Sequence, residues 1–187
     1  MRKLKDQTEL SGVFGESISV RKVNGRLVFT NRPKKKRGAP TPKEIAHRER
    51  LSEAAQYAKS VAQDDELRAL YAARVKGKHE SAQSVAIGDF LNPPAVSAIE
   101  AAKYRGAIGN IIYVHASDDF QVIKVTITII DADGVVVEEG EAVNDSKMRV
   151  NRWKYKTVAV NPTLKSTRII AVAYDRPWNV GKREVIV

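Results

Sequence analysis

The sequence predicts an α+β chain in two parts: an N-terminal β-hairpin followed by two or three α-helices, then a C-terminal all-β sandwich. Three observations carry that expectation. An Asn24-Gly25 dipeptide stands between two β-rich runs, apolar residues recur at three- and four-residue spacing through the fifties and sixties, and from about Ile111 the apolar period changes to two. The boundaries expected from this pattern are 1–93 for the hairpin, basic linker and helical region, 94–106 for a linker, and 107–187 for the sandwich. With 187 residues, 43% of them hydrophobic, the chain has enough apolar content to bury a core.

The hairpin is expected over 18–30, because both central positions of a two-residue type I′ turn need positive φ and Asn-Gly supplies them. Pairing outward from that turn sets Val20 opposite Phe29 and Lys22 opposite Leu27, with one apolar patch around Val20 and Phe29. A first helix opens at Thr41-Pro42-Lys43-Glu44, which reads as N-cap, proline at the first helical position and a capping-box glutamate. Its apolar face is Leu51, Ala54, Ala55, Ala58, Val61 and Ala62. Asp64 and Asp65 cap a second helix that carries Leu67, Leu70, Tyr71 and Val75 and ends at Gly77. A short third helix runs from about Ser81 through Val85 to Phe90, where Asn92-Pro93-Pro94 forbids continuation.

Six or seven strands follow. In Val122 to Ile130, Ile123, Val125, Ile127 and Ile129 face one way and Lys124, Thr126 and Thr128 the other, so one face is buried. Asp131-Ala132-Asp133-Gly134 turns the chain into Val135-Val136-Val137. Trp153, Tyr155, Thr157 and Ala159 share one side of a later strand, Arg168 to Tyr174 is apolar on nearly both sides as a central strand should be, and Lys182 to Val187 closes the chain.

The run Ala116-Ser117-Asp118-Asp119-Phe120, then Val122 to Ile127, a glycine turn, Trp153-Lys154-Tyr155, Ile170-Ala171-Val172-Ala173-Tyr174-Asp175 and finally Asn179 resembles bacterial immunoglobulin-like repeat modules. The resemblance covers 107–187 and departs at Arg176-Pro177-Trp178, which stand where such modules have small residues. It implies an immunoglobulin-like sandwich acting as a spacer, adhesive or decoration domain, without chemistry of its own.

Charge is concentrated. The formal net charge is +10, and residues 21–50 hold eleven basic residues against two acidic ones, a local excess of +9. Such a field attracts polyanions, and Arg32, Lys34, Lys35, Lys36, Arg37, Lys43 and Arg48 are the candidate polyanion-binding residues. The competing reading is a charge run that only solvates a loop.

Zero cysteines exclude disulfides, thiolate nucleophiles and cysteine-ligated metal centres. His47, His79 and His115 have no ligand spacing, so no metal or other cofactor is expected on them. Asp131-Ala132-Asp133-Gly134 opens like a calcium loop but lacks the glycine and glutamate an EF-hand needs. Asp118, Asp119 and Asp175 fall at sandwich loop ends where carboxylates could converge on calcium; the alternative is turn-forming aspartates that accept backbone hydrogen bonds. Glu138, Glu139 and Glu141 are read as a solvated strand end, and neither a nucleophile elbow nor a phosphate loop is present, so no catalytic residue is expected.

The expectation for function is a non-enzymatic structural or interaction protein whose basic N-terminal region anchors the C-terminal sandwich to a larger assembly or a homo-oligomer, with a virion or phage-like particle as one setting. The alternative is a sequence-nonspecific nucleic-acid-binding protein using the basic 32–50 segment. A third reading is a carbohydrate-binding or adhesive module with Trp153, Tyr155 and Trp178 as platforms, against which Trp153 reads in preference as a core tryptophan. No apolar run reaches the roughly 18 residues that would span a bilayer, and the polar start Met1 to Gln7 is unlike a signal peptide. The expected location is therefore the cytoplasm or a particle.

Overall fold

A computed structural model describes residues 12–14, 18–23, 26–31, 38–77, 80–145 and 151–187. The architecture is α+β: among the described residues there are three helices and antiparallel sheets, and the chain divides into two compact units at Thr41/Pro42.

The first unit is a three-stranded antiparallel sheet of β1 (Gly12–Phe14), β2 (Ile18–Val23) and β3 (Arg26–Asn31). The β2–β3 register places Val20 opposite Phe29 and Lys22 opposite Leu27, as a two-residue connection dictates. Asn24-Gly25 itself lies outside the described residues. β1 was not foreseen; it pairs Gly12 with Val20 on the far side of β2. Val20, in the central strand, is 4% exposed, whereas Phe29, on an edge strand, is 67% exposed. The expected apolar patch is thus covered only at its Val20 end.

The second unit begins with α1 (Pro42–Gln63), α2 (Asp65–Ala72) and α3 (Ala82–Leu91). On α1 the small residues Ala54, Ala58 and Val61 are buried while Leu51, at the other end of the expected apolar face, is exposed. Small side chains let α1 approach α3 closely, and Ala58, Val61, Tyr71, Ala86 and Phe120 form a core of their own. Asp64 caps α2, its Oδ1 accepting from the backbone N–H of Glu66 at 2.9 Å and Leu67 at 3.0 Å. That helix stops at Ala72, short of the expected Val75 and Gly77, and Arg74 just beyond turns to donate to the Phe120 carbonyl at 3.1 Å. Ser81 caps α3 in a reciprocal pair with Ser84, and Pro93-Pro94 follows its end.

Among the described residues eight strands follow in this unit: β4 (Ala95–Glu100), β5 (Ile111–Ser117), β6 (Lys124–Ile130), β7 (Val136–Glu141), β8 (Val143–Asn144), β9 (Arg152–Lys156), β10 (Arg168–Tyr174) and β11 (Val180–Ile186). They form two four-stranded antiparallel sheets, ordered β11-β10-β6-β7 and β4-β5-β9-β8. Each of β5, β6 and β10 buries alternate residues, the period of two read from the sequence. Ile112 and Val114 from one sheet and Val125, Ile127, Ile129, Ile169 and Ala171 from the other belong to a single core, giving a β-sandwich-like arrangement. β10 is a central strand, as its two-sided apolar sequence implies.

β4 lies inside the 94–106 stretch expected to be linker. The residue before a proline is biased toward extended backbone, and Ala95 to Glu100 continues extended and pairs with β5 around a bulge between Val96 and Ala98. Its start passes so close to β11 that a Cβ on Gly181 would lie 1.9 Å from the Pro94 carbonyl oxygen.

Candidate functional site

Of the seven expected polyanion-binding residues, Arg32, Lys34, Lys35, Lys36 and Arg37 lie outside the described residues. Lys43 and Arg48 sit on the first turns of α1, both exposed. Arg21, Lys22, Arg26 and Arg50 are exposed too, Arg50 reaching the Leu91 carbonyl at 2.9 Å. His47 is exposed on α1, His79 lies outside the described residues, and His115 pairs with Glu100 at 2.8 Å.

The aromatic platform is largely withdrawn: Trp153 and Tyr155 are buried in the sandwich core, and only Trp178 is exposed, at 65%. Glu138 also departs from expectation. It is buried, because β7 is bulged against β6 here and the side chain turns inward; its Oε2 accepts from the N–H of Val158 at 2.7 Å and Ala159 at 3.1 Å, and from the Tyr155 hydroxyl at 3.2 Å. A shallow cleft of about 610 Å³ carries two charged side chains, Glu141 and Arg176.

Ionisable groups converge instead where α3 meets the sandwich. Asp118 and Asp175, expected at loop ends, come together there, but their third partner is Asp89 of α3; Asp119 is exposed and accepts from the Asn92 side-chain amide at 2.9 Å. One carboxylate oxygen from each of Asp89, Asp118 and Asp175 lies within 4.8 Å of the others. Asp89 is 1% exposed and Asp175 0%.

Each carboxylate is also held locally. Asp118 Oδ2 accepts from the N–H of Phe120 at 3.0 Å and of Gln121 at 2.8 Å, the aspartate turn that was the competing reading. Asp175 accepts from Asn179, through its backbone N–H at 2.6 Å and its side-chain amide at 2.8 Å. Asp89 Oδ2 accepts from the Tyr71 hydroxyl, which leaves the Tyr57 hydroxyl, 2.7 Å from that of Tyr71, to act as donor in the relay. Tyr71 stacks on Phe120 with ring centres 4.4 Å apart. Burial pushes the Asp89 carboxyl up to about 7 against the Tyr71 hydrogen bond, and the charges of Asp118, Asp175 and Asp119 add to the rise. Burial likewise raises Asp175, opposed by its bonds from Asn179, and holds Tyr71 far above the ordinary phenol value.

Sequence reasoning missed Asp89, although a signal was present: it is a lone carboxylate in the otherwise apolar run Val85-Ala86-Ile87-Gly88-Asp89-Phe90-Leu91. A charge on a helix face that must be buried calls for partners supplied by another element.

No family model matches the chain, and no curated protein matches it. The crystal structure of CopC from Methylosinus trichosporium OB3b is similar over 49% of this chain and 87% of that one, at 10% identity and a TM-score of 0.35, too slight a likeness to assign a family. Among the described residues no helix is long and apolar enough to cross a membrane.

Proposed function

We propose that this chain is a non-enzymatic structural or interaction protein in which the basic N-terminal region anchors an immunoglobulin-like sandwich to a larger assembly, a virion or phage-like particle being the setting that suits it. The observation that carries the reading is the local excess of +9 over residues 21–50, together with the exposure of every cation there whose side chain is described. Cations exposed in this way are available to an acidic surface. The likeness of residues 107–187 to immunoglobulin-like modules, and the two four-stranded sheets sharing one core, support the display half of the reading.

The same cations favour a second reading, nonspecific grip on nucleic acid phosphates. Light scattering and mobility shifts on the full chain separate the two. Self-association or co-assembly that needs no nucleic acid and weakens as salt rises from about 50 to about 200 mM supports anchoring through the basic region; duplex binding that weakens about a thousandfold over that range replaces it with the nucleic-acid reading. A strict monomer that assembles with nothing overturns the anchoring proposal.

A further inference from the structure

Three elements distant in sequence deliver one carboxylate each to the junction: Asp89 from α3, Asp118 from the end of β5 and Asp175 from the end of β10. The hydrogen bonds described above account for both oxygens of Asp175 and for Oδ2 of Asp89 and Asp118. Oδ1 of Asp89 and Oδ1 of Asp118 are left over, each shut away from solvent with no hydrogen-bond partner. Two dry, unpaired carboxylate oxygens among three like-charged side chains require a counter-charge.

The neighbouring cations do not supply it by contact. Arg74 lies over the Phe120 ring, 5.4 Å from its centre, and donates to the Phe120 carbonyl. Arg176 donates to the Gln121 side chain at 3.3 Å, and its Nε is buried without a partner. Neither guanidinium donates to an oxygen of the cluster. Two candidates remain, a proton on Asp89 or a bound metal ion.

We propose that Asp89, Asp118 and Asp175 form a calcium site that clamps α3 to the loops after β5 and β10. The donor set is oxygen only, which suits a hard cation and no soft transition metal. Calcium binds six to eight oxygens at about 2.3–2.6 Å, so two ligands of one ion can stand about 5 Å apart, and a spread within 4.8 Å meets that limit. The three carboxylates are already oriented by Tyr71, by the Asp118 turn and by Asn179, an irregular shell that calcium accepts more readily than magnesium with its strict octahedron. A polar cavity of about 180 Å³ opens beside Asp118, with Gln121, Asn144 and Asn151 on its wall together with Arg74, whose guanidinium is engaged by the Phe120 carbonyl, and gives room for the ion's remaining waters and a path inward. The site is independent of the anchoring reading.

The test uses the full chain, stripped with chelator and dialysed. Titration calorimetry with calcium chloride is expected to show one ion per chain, and the thermal midpoint is expected to rise by about 5–10 °C at a hundredfold excess over Kd. Asp118→Asn keeps an oxygen to accept its turn hydrogen bonds and is expected to fold in chelator yet lose at least about tenfold in affinity, whereas Asp133→Asn, in the exposed turn after β6, keeps the full response. Terbium luminescence sensitised by Tyr71 and displaced by calcium reads the site in the unaltered chain, so the proposal does not hang on any variant folding. The absence of both heat and midpoint change up to about 10 mM calcium, above the weakest class of protein calcium sites, would overturn it and leave the proton as the counter-charge. So would an equal response to magnesium, or a calcium response that survives Asp118→Asn undiminished.

Discussion

The side-chain amide of Asn179 donates to the backbone carbonyl of Phe90 at 3.0 Å, so the loop after β10 is tied directly to the C-terminal turn of α3. Helix ends leave their last carbonyls without intrahelical partners, and here a residue 89 positions away meets one of them. The same amide reaches Asp175, which fixes where that carboxylate points.

Replacing Asn179 with Ala removes these bonds together and leaves buried acceptors unsatisfied. The expected loss is about 1–3 kcal/mol in urea unfolding. Hydrogen exchange should show the loss of protection centred on α3; uniform loss across both sheets would contradict the tie.

Two glycines are expected to respond in opposite directions. Gly181→Ala puts a methyl group against the Pro94 carbonyl, a backbone atom that cannot swing aside, so a loss of about 3 kcal/mol or failure to fold is expected. Gly88 lies within α3 and a Cβ there meets nothing, so Gly88→Ala is expected to gain about 0.5–1 kcal/mol. Chemical denaturation midpoints of the two variants check both signs.

Tyr155 and Glu138 predict an alkaline signature. Burial, then the Glu138 charge and the hydrogen bond to it, push the Tyr155 hydroxyl from 10.0 up to about 12. The folded state therefore favours the neutral phenol. Its contribution is complete below the unfolded value of 10.0 and is lost as pH rises from there to about 12. Tyr155→Phe should be about 1 kcal/mol less stable near neutrality and show a shallower fall of stability across the alkaline window. Parallel curves for the two proteins would refute the assignment.

Trp178 occupies the left-handed region, with φ at 66°, while its ring lies edge-on to Tyr174 at 6.1 Å and remains 65% exposed. A non-glycine residue held there costs about 1–2 kcal/mol. Trp178→Gly is expected to match or exceed the parent stability by up to about 1 kcal/mol, the lost ring contact offsetting part of the relief. A clear drop in the unfolding midpoint would mean that the ring contact outweighs the strain.

Local chemistry was legible and long-range chemistry was not. The Val20–Phe29 register follows from a two-residue turn, the start of α1 from Thr41-Pro42, the start of α3 from Ser81, and the buried face of β6 from strict alternation. β4 escaped notice because Ala95 to Glu100 is short, alanine-rich and preceded by two prolines; only its pairing with β5 makes it a strand. Glu138 reads as a solvated carboxylate until a bulge turns it toward the backbone N–H groups of residues 158 and 159. The acidic junction was half legible. Asp118 and Asp175 stood out as loop-end aspartates, but their partner on α3 is set by packing between elements separated by dozens of residues.

The place of β4 limits how this molecule can be cut. A fragment starting at residue 107 would surrender the strand that covers one margin of β5, baring a row of unpaired amide and carbonyl groups over Ile111 to Ser117. Such a truncation invites strand-to-strand aggregation, so recombinant dissection must carry the stretch from Pro93 onward along with it.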